Sequence, residues 1–283
     1  MQSPQPRVID LRQLEHERLI GCFLLDDVLI DCGPASRAQT LIDALGERPP
    51  RALALTHIHL DHAGAAGTLV ERWPELEVWV HERGAPHLVD PSRLLASAER
   101  LYGDEMERLW GRTLPVPQAN IRVLSGGERL DSLEVAYTPG HASHHVCYWH
   151  ASSATAFVGD VAGVRVAPSS YVLAPTPPPD IDLELWRESI ERVRSWRPQR
   201  LAITHFGCFE DAASQLDAIE AALERSGRLA RELPPEQFVA TLSAQIDADS
   251  DARGAFAYSL GAPLEQCYAG LARYWAKRGD AGS

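Results

Sequence analysis

The chain has 283 residues, 45% of them hydrophobic and 23% charged, the profile of a globular protein with a sizeable core rather than of a disordered or fibrous chain. Its 27 Lys+Arg against 39 Asp+Glu give a net charge of -12. That balance and the absence of any basic run argue against nucleic acid or an anionic membrane surface as partner. Cys22, Cys32, Cys147, Cys208 and Cys267 are scattered and odd in number, which argues against a disulfide framework or a cysteine zinc knuckle.

The first residues hold no apolar run followed by a cleavage site, so no secretory signal is expected and the cytoplasm is the default compartment. Apolar runs are strand-length, far short of the roughly 18 residues of a membrane span. Phe23 to Asp31 reads as a hairpin around a tight Asp26-Asp27 turn, closed by Cys32-Gly33-Pro34. Ala35 to Leu45 reads as a helix, and Ala52 to Leu55 and Leu76 to Val80 as strands. From Pro91 to Gly111, Leu94, Leu95, Ala98, Leu101, Tyr102, Met106, Leu109 and Trp110 recur at helical spacing. This segment is placed to cap whatever the neighbouring loops form. Leu133 to Tyr137 and Ala154 to Val158 read as strands, Asp182 to Trp196 as a helix, Leu201 to Ile203 as a strand and Asp211 to Leu233 as a long helix. Strands interleaved with helices predict a layered α/β sandwich. Leu233-Pro234-Pro235 divides the chain into residues 1–232 and 233–283. Beyond it, Gln237 to Gln245 and Asp251 to Lys277 look helical, forming a small appendage that docks on the sandwich or makes a homodimer contact.

Four of the strand-like runs end directly in potential metal ligands. Ala52 to Leu55 leads into Thr56-His57-Ile58-His59-Leu60-Asp61-His62, and Leu133 to Tyr137 into Thr138-Pro139-Gly140-His141. Thr155 to Val158 leads into Gly159-Asp160, and Leu201 to Ile203 into Thr204-His205. Loops at the ends of neighbouring strands can converge on one rim of a rigid scaffold. Imidazole and carboxylate suit zinc and comparable divalent ions. His57 and His59 alternate and can face one way in an extended loop; Gly64 allows the tight turn out of the cluster. Isolated histidines such as His16, His87 and His150 carry no such signal. Seven donors suffice for two ions and a bridging carboxylate.

The ordered set H-x-H-x-D-H, Pro139-Gly140-His141, Val158-Gly159-Asp160 and Thr204-His205 resembles the metallo-β-lactamase superfamily, nearest its glyoxalase II-like hydrolases, over roughly residues 8 to 230. The resemblance implies an αββα sandwich with the C-terminal helices appended. It implies His57, His59 and His141 on one metal, Asp61, His62 and His205 on a second, and Asp160 bridging them. Zinc is the expected ion, with iron or manganese as alternatives. Asp31 matches the family's aspartate that steadies the ligand loop, and Asp61 stands where it could handle a proton. The implied activity is hydrolysis of a small ester-like molecule, thioester or lactone, with phosphodiester hydrolysis and iron-dependent persulfide oxygenation as alternatives. After Asp160, Arg165 is expected to pair with a substrate carboxylate and Tyr171 to hydrogen-bond the electrophilic oxygen. His144 and His145 depart from the small or hydroxyl residues usual there, and one of them is expected to face the pocket. The basic residues that hold glutathione in glyoxalase II have no placed counterpart. Cys147 is expected to pack as a small apolar residue.

Overall fold

The computed structural model describes residues 5–280. The chain builds its strands in two runs. The first sheet holds β1 (Arg7–Asp10), β2 (Gly21–Leu25), β3 (Val28–Ile30), β4 (Ala52–Ala54), β5 (Glu77–His81) and β6 (Ile121–Leu124), side by side in chain order. The second holds β7 (Arg129–Leu130), β8 (Leu133–Tyr137), β9 (Val146–His150), β10 (Thr155–Gly159), β11 (Arg200–Ile203) and β12 (Gly207–Phe209), again in chain order. Both sheets are mixed: β3 to β6 pair in parallel in the first, and β10 pairs in parallel with β11 in the second.

Alternation along each strand creates the layers. In β4, Ala52 and Ala54 enter the core between the sheets with Phe23, Trp79, Tyr148 and Phe157. Leu53 and Leu55 turn the other way, into a second core shared with the helices. From the first half of the chain that core takes in residues of α1 (Ala38–Leu45), α2 (Leu60–Ala63), α3 (Ala66–Arg72) and α4 (Ala85–Val89). From the second half it takes in α7 (Leu183–Ser195) and α8 (Ala212–Glu232), after α5 and α6 described below. The result is the expected αββα sandwich. The hairpin turn places Asp26 at φ 54, a left-handed conformation that aspartate tolerates better than most residues. Asp182 caps α7 by accepting from Glu184 N and Leu185 N, both at 3.1 Å.

Three departures from the sequence reading have local causes. The helix expected over Pro91 to Gly111 breaks into α5 (Ser92–Tyr102) and α6 (Met106–Trp110) at Gly103, whose φ is 50. The helix expected over Asp251 to Lys277 breaks into α10 (Ala252–Gly261) and α11 (Leu264–Asp280), because Pro263 cannot supply the amide needed to continue. The strands β1, β6, β7 and β12 have no counterpart in the sequence reading. They are short, and Val123 in β6 is half exposed, so no clean alternation marks them.

α9 (Pro235–Asp249) begins at the predicted break, but the C-terminal helices have no separate core. Phe238, Leu242, Tyr258 and Leu271 are buried in the same core as Leu183, Ile190, Leu216 and Leu223. Among the described residues, no helix is long and apolar enough to cross a membrane.

Candidate metal centre

The centre lies where strand ends from both sheets meet. From the first sheet, β4 runs into Thr56, and the short helix α2 starts just beyond His59. That turn carries Asp61 and His62 in one direction while His57 and His59 stay on the extended stretch. Gly64 follows because a Cβ there would lie 2.4 Å from the Leu60 carbonyl oxygen and 3.0 Å from Pro34 Cα. From the second sheet, His141 follows β8, Asp160 follows β10 and His205 follows β11. The seam is pinned beside the centre: Val146 N donates to Thr56 O at 2.8 Å, and Tyr148 Oη donates to Leu55 O at 2.8 Å.

Of the expected donor residues, His57, His62, His141, Asp160 and His205 are at most 3% exposed, while His59 and Asp61 are partly exposed. Three groups have donor atoms within 4.8 Å of one another: His57 with His59 and His141, His57 with His62 and Asp160, and Asp61 with His62 and His205. In the first group, His59 Nδ1 is 3.0 Å from both His57 Nε2 and His141 Nε2. In the other groups, Asp61 Oδ2 is 3.2 Å from His205 Nε2 and 3.8 Å from His62 Nε2. Asp160 divides its two oxygens: Oδ1 lies 3.2 Å from His62 Nε2, and Oδ2 lies 3.4 Å from His141 Nε2.

The outer nitrogens of the imidazoles explain why these inner atoms are lone pairs. His141 Nδ1 is 2.9 Å from the Pro175 carbonyl oxygen, and His205 Nδ1 is 2.9 Å from that of Leu19. His62 Nδ1 lies 2.8 Å from Asp31 Oδ2, and His57 Nδ1 lies 3.1 Å from Thr56 Oγ1. Each outer nitrogen therefore carries the proton and donates, leaving Nε2 as an acceptor that points inward. Asp31 is the hub of this outer ring. It also accepts from Thr56 N at 2.8 Å and from the hydroxyls of Thr56 and Thr204.

This arrangement fits a cation. His62 Nε2, Asp160 Oδ1 and His205 Nε2 are buried without a hydrogen-bond partner, a costly state that coordinated positive charge would relieve. Burial keeps His57 and His141 below the usual imidazole range and His59 at about 4, so all three stay neutral and able to ligate. Burial also works against protonated His62 and His205, yet the neighbouring carboxylates more than offset it and raise both. Burial alone would raise Asp61 and Asp160, but the surrounding imidazoles win: Asp61 falls to about 2 and Asp160 well below its ordinary value. The carboxylates that raise His62 and His205 would attract a bound cation at the same place.

Other expected residues fall elsewhere. Tyr171 does not reach the centre: its hydroxyl lies 3.2 Å from Gln245 Oε1 and its ring packs under the Arg225 guanidinium. The chain turns back after Asp160, with Val164 bridged to Leu173, and carries Tyr171 toward α9 and α10. Arg165 is likewise turned away, bound to both oxygens of Asp211 at 2.8 and 2.9 Å. His144 borders the cavity above the centre, whereas His145 is fully buried behind it, between Thr138 Oγ1 at 2.9 Å and Asp160 N at 3.4 Å. Cys147 is buried in β9.

That cavity has a volume of about 320 Å³. His59, Asp61, His141 and Asp160 form its floor, and α5, Trp110, the prolines after Pro175 and the start of α11 form its walls. The Pro91 to Gly111 segment does stand over the centre. Sequence reasoning misses the contribution of Thr56 and Thr204, since threonine is common at strand ends. It also misses Tyr102 of α5, whose hydroxyl donates to Gln266 Oε1 of α11 at 3.2 Å across the cavity.

A family model described as the metallo-beta-lactamase superfamily matches residues 22–205. The chain is 30% identical over 162 residues to a metallo-beta-lactamase fold-containing protein of Sulfurisphaera tokodaii, covering 55% of this chain and 60% of that protein. It is 30% identical over 134 residues to a hydroxyacylglutathione hydrolase of Enterobacter sp. (strain 638), covering 47% of this chain and 41% of the enzyme. It therefore spans less than two thirds of these curated relatives. Among solved structures, an archaeal metallo-beta-lactamase superfamily protein from Sulfolobus tokodaii matches with a TM-score of 0.74 at 23% identity, over 95% of this chain and 98% of that one. A metallo-beta-lactamase family protein from Thermus thermophilus matches with a TM-score of 0.62 at 20% identity, over 92% of this chain and 89% of that one. Both are likenesses of fold.

Proposed function

The chain belongs to the metallo-beta-lactamase superfamily, and from that premise we propose that it is a two-metal hydrolase of a small ester-like substrate, thioester or lactone. The observation that carries the reading is the division of Asp160, one oxygen toward His62 and the other toward His141. A carboxylate so placed can serve two ions at once. His57, His59 and His141 would hold one, and Asp61, His62 and His205 the other. Zinc is the ion proposed, with iron or manganese as alternatives. Divalent ions held there would supply an ionised water at neutral pH and positive charge against the substrate's carbonyl oxygen.

The chain's own residues do the rest. Asp61 borders the cavity and stays ionised, so it accepts a hydrogen bond from the attacking water and orients it; at a pKa of about 2 it is a weak base. Asp31, Thr56 and the carbonyls of Pro175 and Leu19 hold the imidazoles in fixed tautomers. The apolar part of the walls would limit the water around these groups and strengthen their interactions. Hydroxyacylglutathione hydrolases among the relatives support an acyl ester over a phosphodiester. The acidic balance of the chain also disfavours a phosphodiester polymer. The complete Asp61, His62 and His205 group favours hydrolysis over a one-iron oxygenase. The substrate is a small molecule, with neither nucleic acid nor membrane as partner.

Metal analysis of the purified protein, joined to a panel of thioesters, lactones, phosphodiesters and a persulfide with oxygen uptake, tests the proposal. Two divalent ions per chain with turnover of a thioester or lactone are expected. A single iron with oxygen uptake and no hydrolysis would overturn it. Asp160→Ala is expected to lose metal and activity together, by about 10³-fold or more in turnover.

A further inference from the structure

Charge is unevenly placed around the cavity. The chain carries a net charge of -12, yet the cavity mouth presents Arg83 and Arg93 beside His87. Apart from the centre's own Asp61 and Asp160, the acid bordering the cavity is Asp180. Asp180 is already engaged: Ser143 Oγ donates to its Oδ2 at 2.6 Å. Both arginines are exposed, and among the described residues neither forms an ion pair. The Arg83 guanidinium sits 5.9 Å from the Tyr137 ring, a contact with a ring face that leaves its donors unused.

The lining is mixed, with Ser97, Tyr102, Ser143 and Gln266 among its polar members, and its apolar part runs along α5. Leu94, Ala98 and Leu101 of α5 line the cavity with Pro177, Leu260 and Pro263. Leu101 is 39% exposed, one of few large apolar side chains so open. A cavity of about 320 Å³ is at the small end of ligand sites, which run from roughly 300 to 1,000 Å³. A ligand that runs from the centre along α5 passes Leu101, Ala98 and Leu94 before it meets Arg93 at the start of that helix.

We propose that the site selects an anionic amphiphile: an ester or thioester whose scissile carbonyl is separated by an apolar spacer from a terminal carboxylate or phosphate read by Arg83 and Arg93. This rests on the hydrolase reading above. A guanidinium fork matches either anion, and a desolvated spacer along α5 sets the distance between carbonyl and charge.

Matched thioesters of N-acetylcysteamine test the proposal on the metal-loaded protein. The half-thioester of suberic acid carries a terminal carboxylate, the octanoyl thioester has the same length without it, and the succinic half-thioester has the charge without the spacer. A thioester of suberyl length ending in phosphate distinguishes the two anions. The suberyl or phosphate-ended substrate is expected to exceed the octanoyl one in kcat/KM by about tenfold, mostly through KM. The succinyl substrate should gain nothing. In the double variant R83Q and R93Q the preference should vanish, the charged substrates falling to the octanoyl level. Equal turnover of the charged and neutral substrates overturns the inference. So does a preference that survives the double variant, since the anion would then be bound at the metals. If no thioester is cleaved, the lactone arm still tests the hydrolase reading, and calorimetry with the corresponding thioethers decides this one. Tighter binding of the anionic thioether in the wild type, lost in the double variant, supports it; equal binding overturns it.

Discussion

Four groups converge on the carboxylate of Asp31: Thr56 N, the Thr56 and Thr204 hydroxyls, and His62 Nδ1. Asp31→Ala would leave them buried without partners, at about 1–3 kcal/mol for each unsatisfied group. The expected result is a metal affinity weakened by roughly 10- to 100-fold and a lowered melting temperature, read by chelator competition and thermal denaturation. An unchanged affinity would show that Asp31 does not orient His62. The cysteines give a prediction of the opposite kind. Burial pushes Cys147 up to about 12 and Cys208 and Cys267 up to about 11, and it raises Cys22 and Cys32 as well. Because the thiolate is the reactive form, the native protein at about pH 8 should react only slowly with a disulfide reagent. Reaction should quicken as pH rises toward about 11, first at half-buried Cys208, and all five thiols should titrate at once only on unfolding. Rapid reaction of all five in the native state would contradict this. At this scale the donor residues are legible because histidine and aspartate are chemically specific and stand at strand ends. Tyr171 and Arg165 are misread because nearness in sequence to Asp160 does not carry over to nearness in space. Tyrosine and arginine chemistry is equally suited to packing, and Asp211 and Gln245, far along the chain, claim them.

Elements decide how well those residues are aimed. His141 leaves β8 through Gly140, whose φ is 134, and a Cβ there would lie 2.4 Å from Trp186 N and Cα. α7 is thus packed directly against the ligand turn, and Asp182 N donates to Gly140 O at 2.9 Å. Gly140→Ala meets backbone rather than a side chain that could swing away. It is expected to cost roughly 1–3 kcal/mol in denaturant unfolding and to lower metal content by moving His141. Wild-type stability with full metal occupancy would show that the turn yields. The main strands and helices can be read from periodicity, since β4, β5, β8, β10 and β11 are apolar runs between clear breaks. Breaks inside helical stretches are harder. Gly103 and Pro263 stop their helices, while Gly227 and Gly254 lie within theirs, so glycine alone does not give the answer.

For the whole molecule, the C-terminal helices are part of the structure that holds the cavity. Phe238, Leu242, Tyr258 and Leu271 each bury apolar surface worth roughly 1.5–3 kcal/mol, and Leu260 to Pro263 line the cavity itself. A chain ending at Leu233 is therefore expected to lose soluble yield or melt far below the full chain, as measured by circular dichroism. An unchanged melt would show the sandwich stands alone. Helical periodicity discloses a buried face here but not its partner, because packing on the sandwich and packing on a second copy make the same demand on a sequence.

The two sheets are each written in one stretch of chain, and the donors are divided the same way. His57, His59, Asp61 and His62 belong to the first stretch, and His141, Asp160 and His205 to the second. During synthesis the first sheet can form while three of the seven donors have yet to be translated. A cation captured then would find an incomplete cage, which His141 would complete for one ion and His205 for the other. Loading of a metal there would thus be a late event, timed by the order of the chain itself.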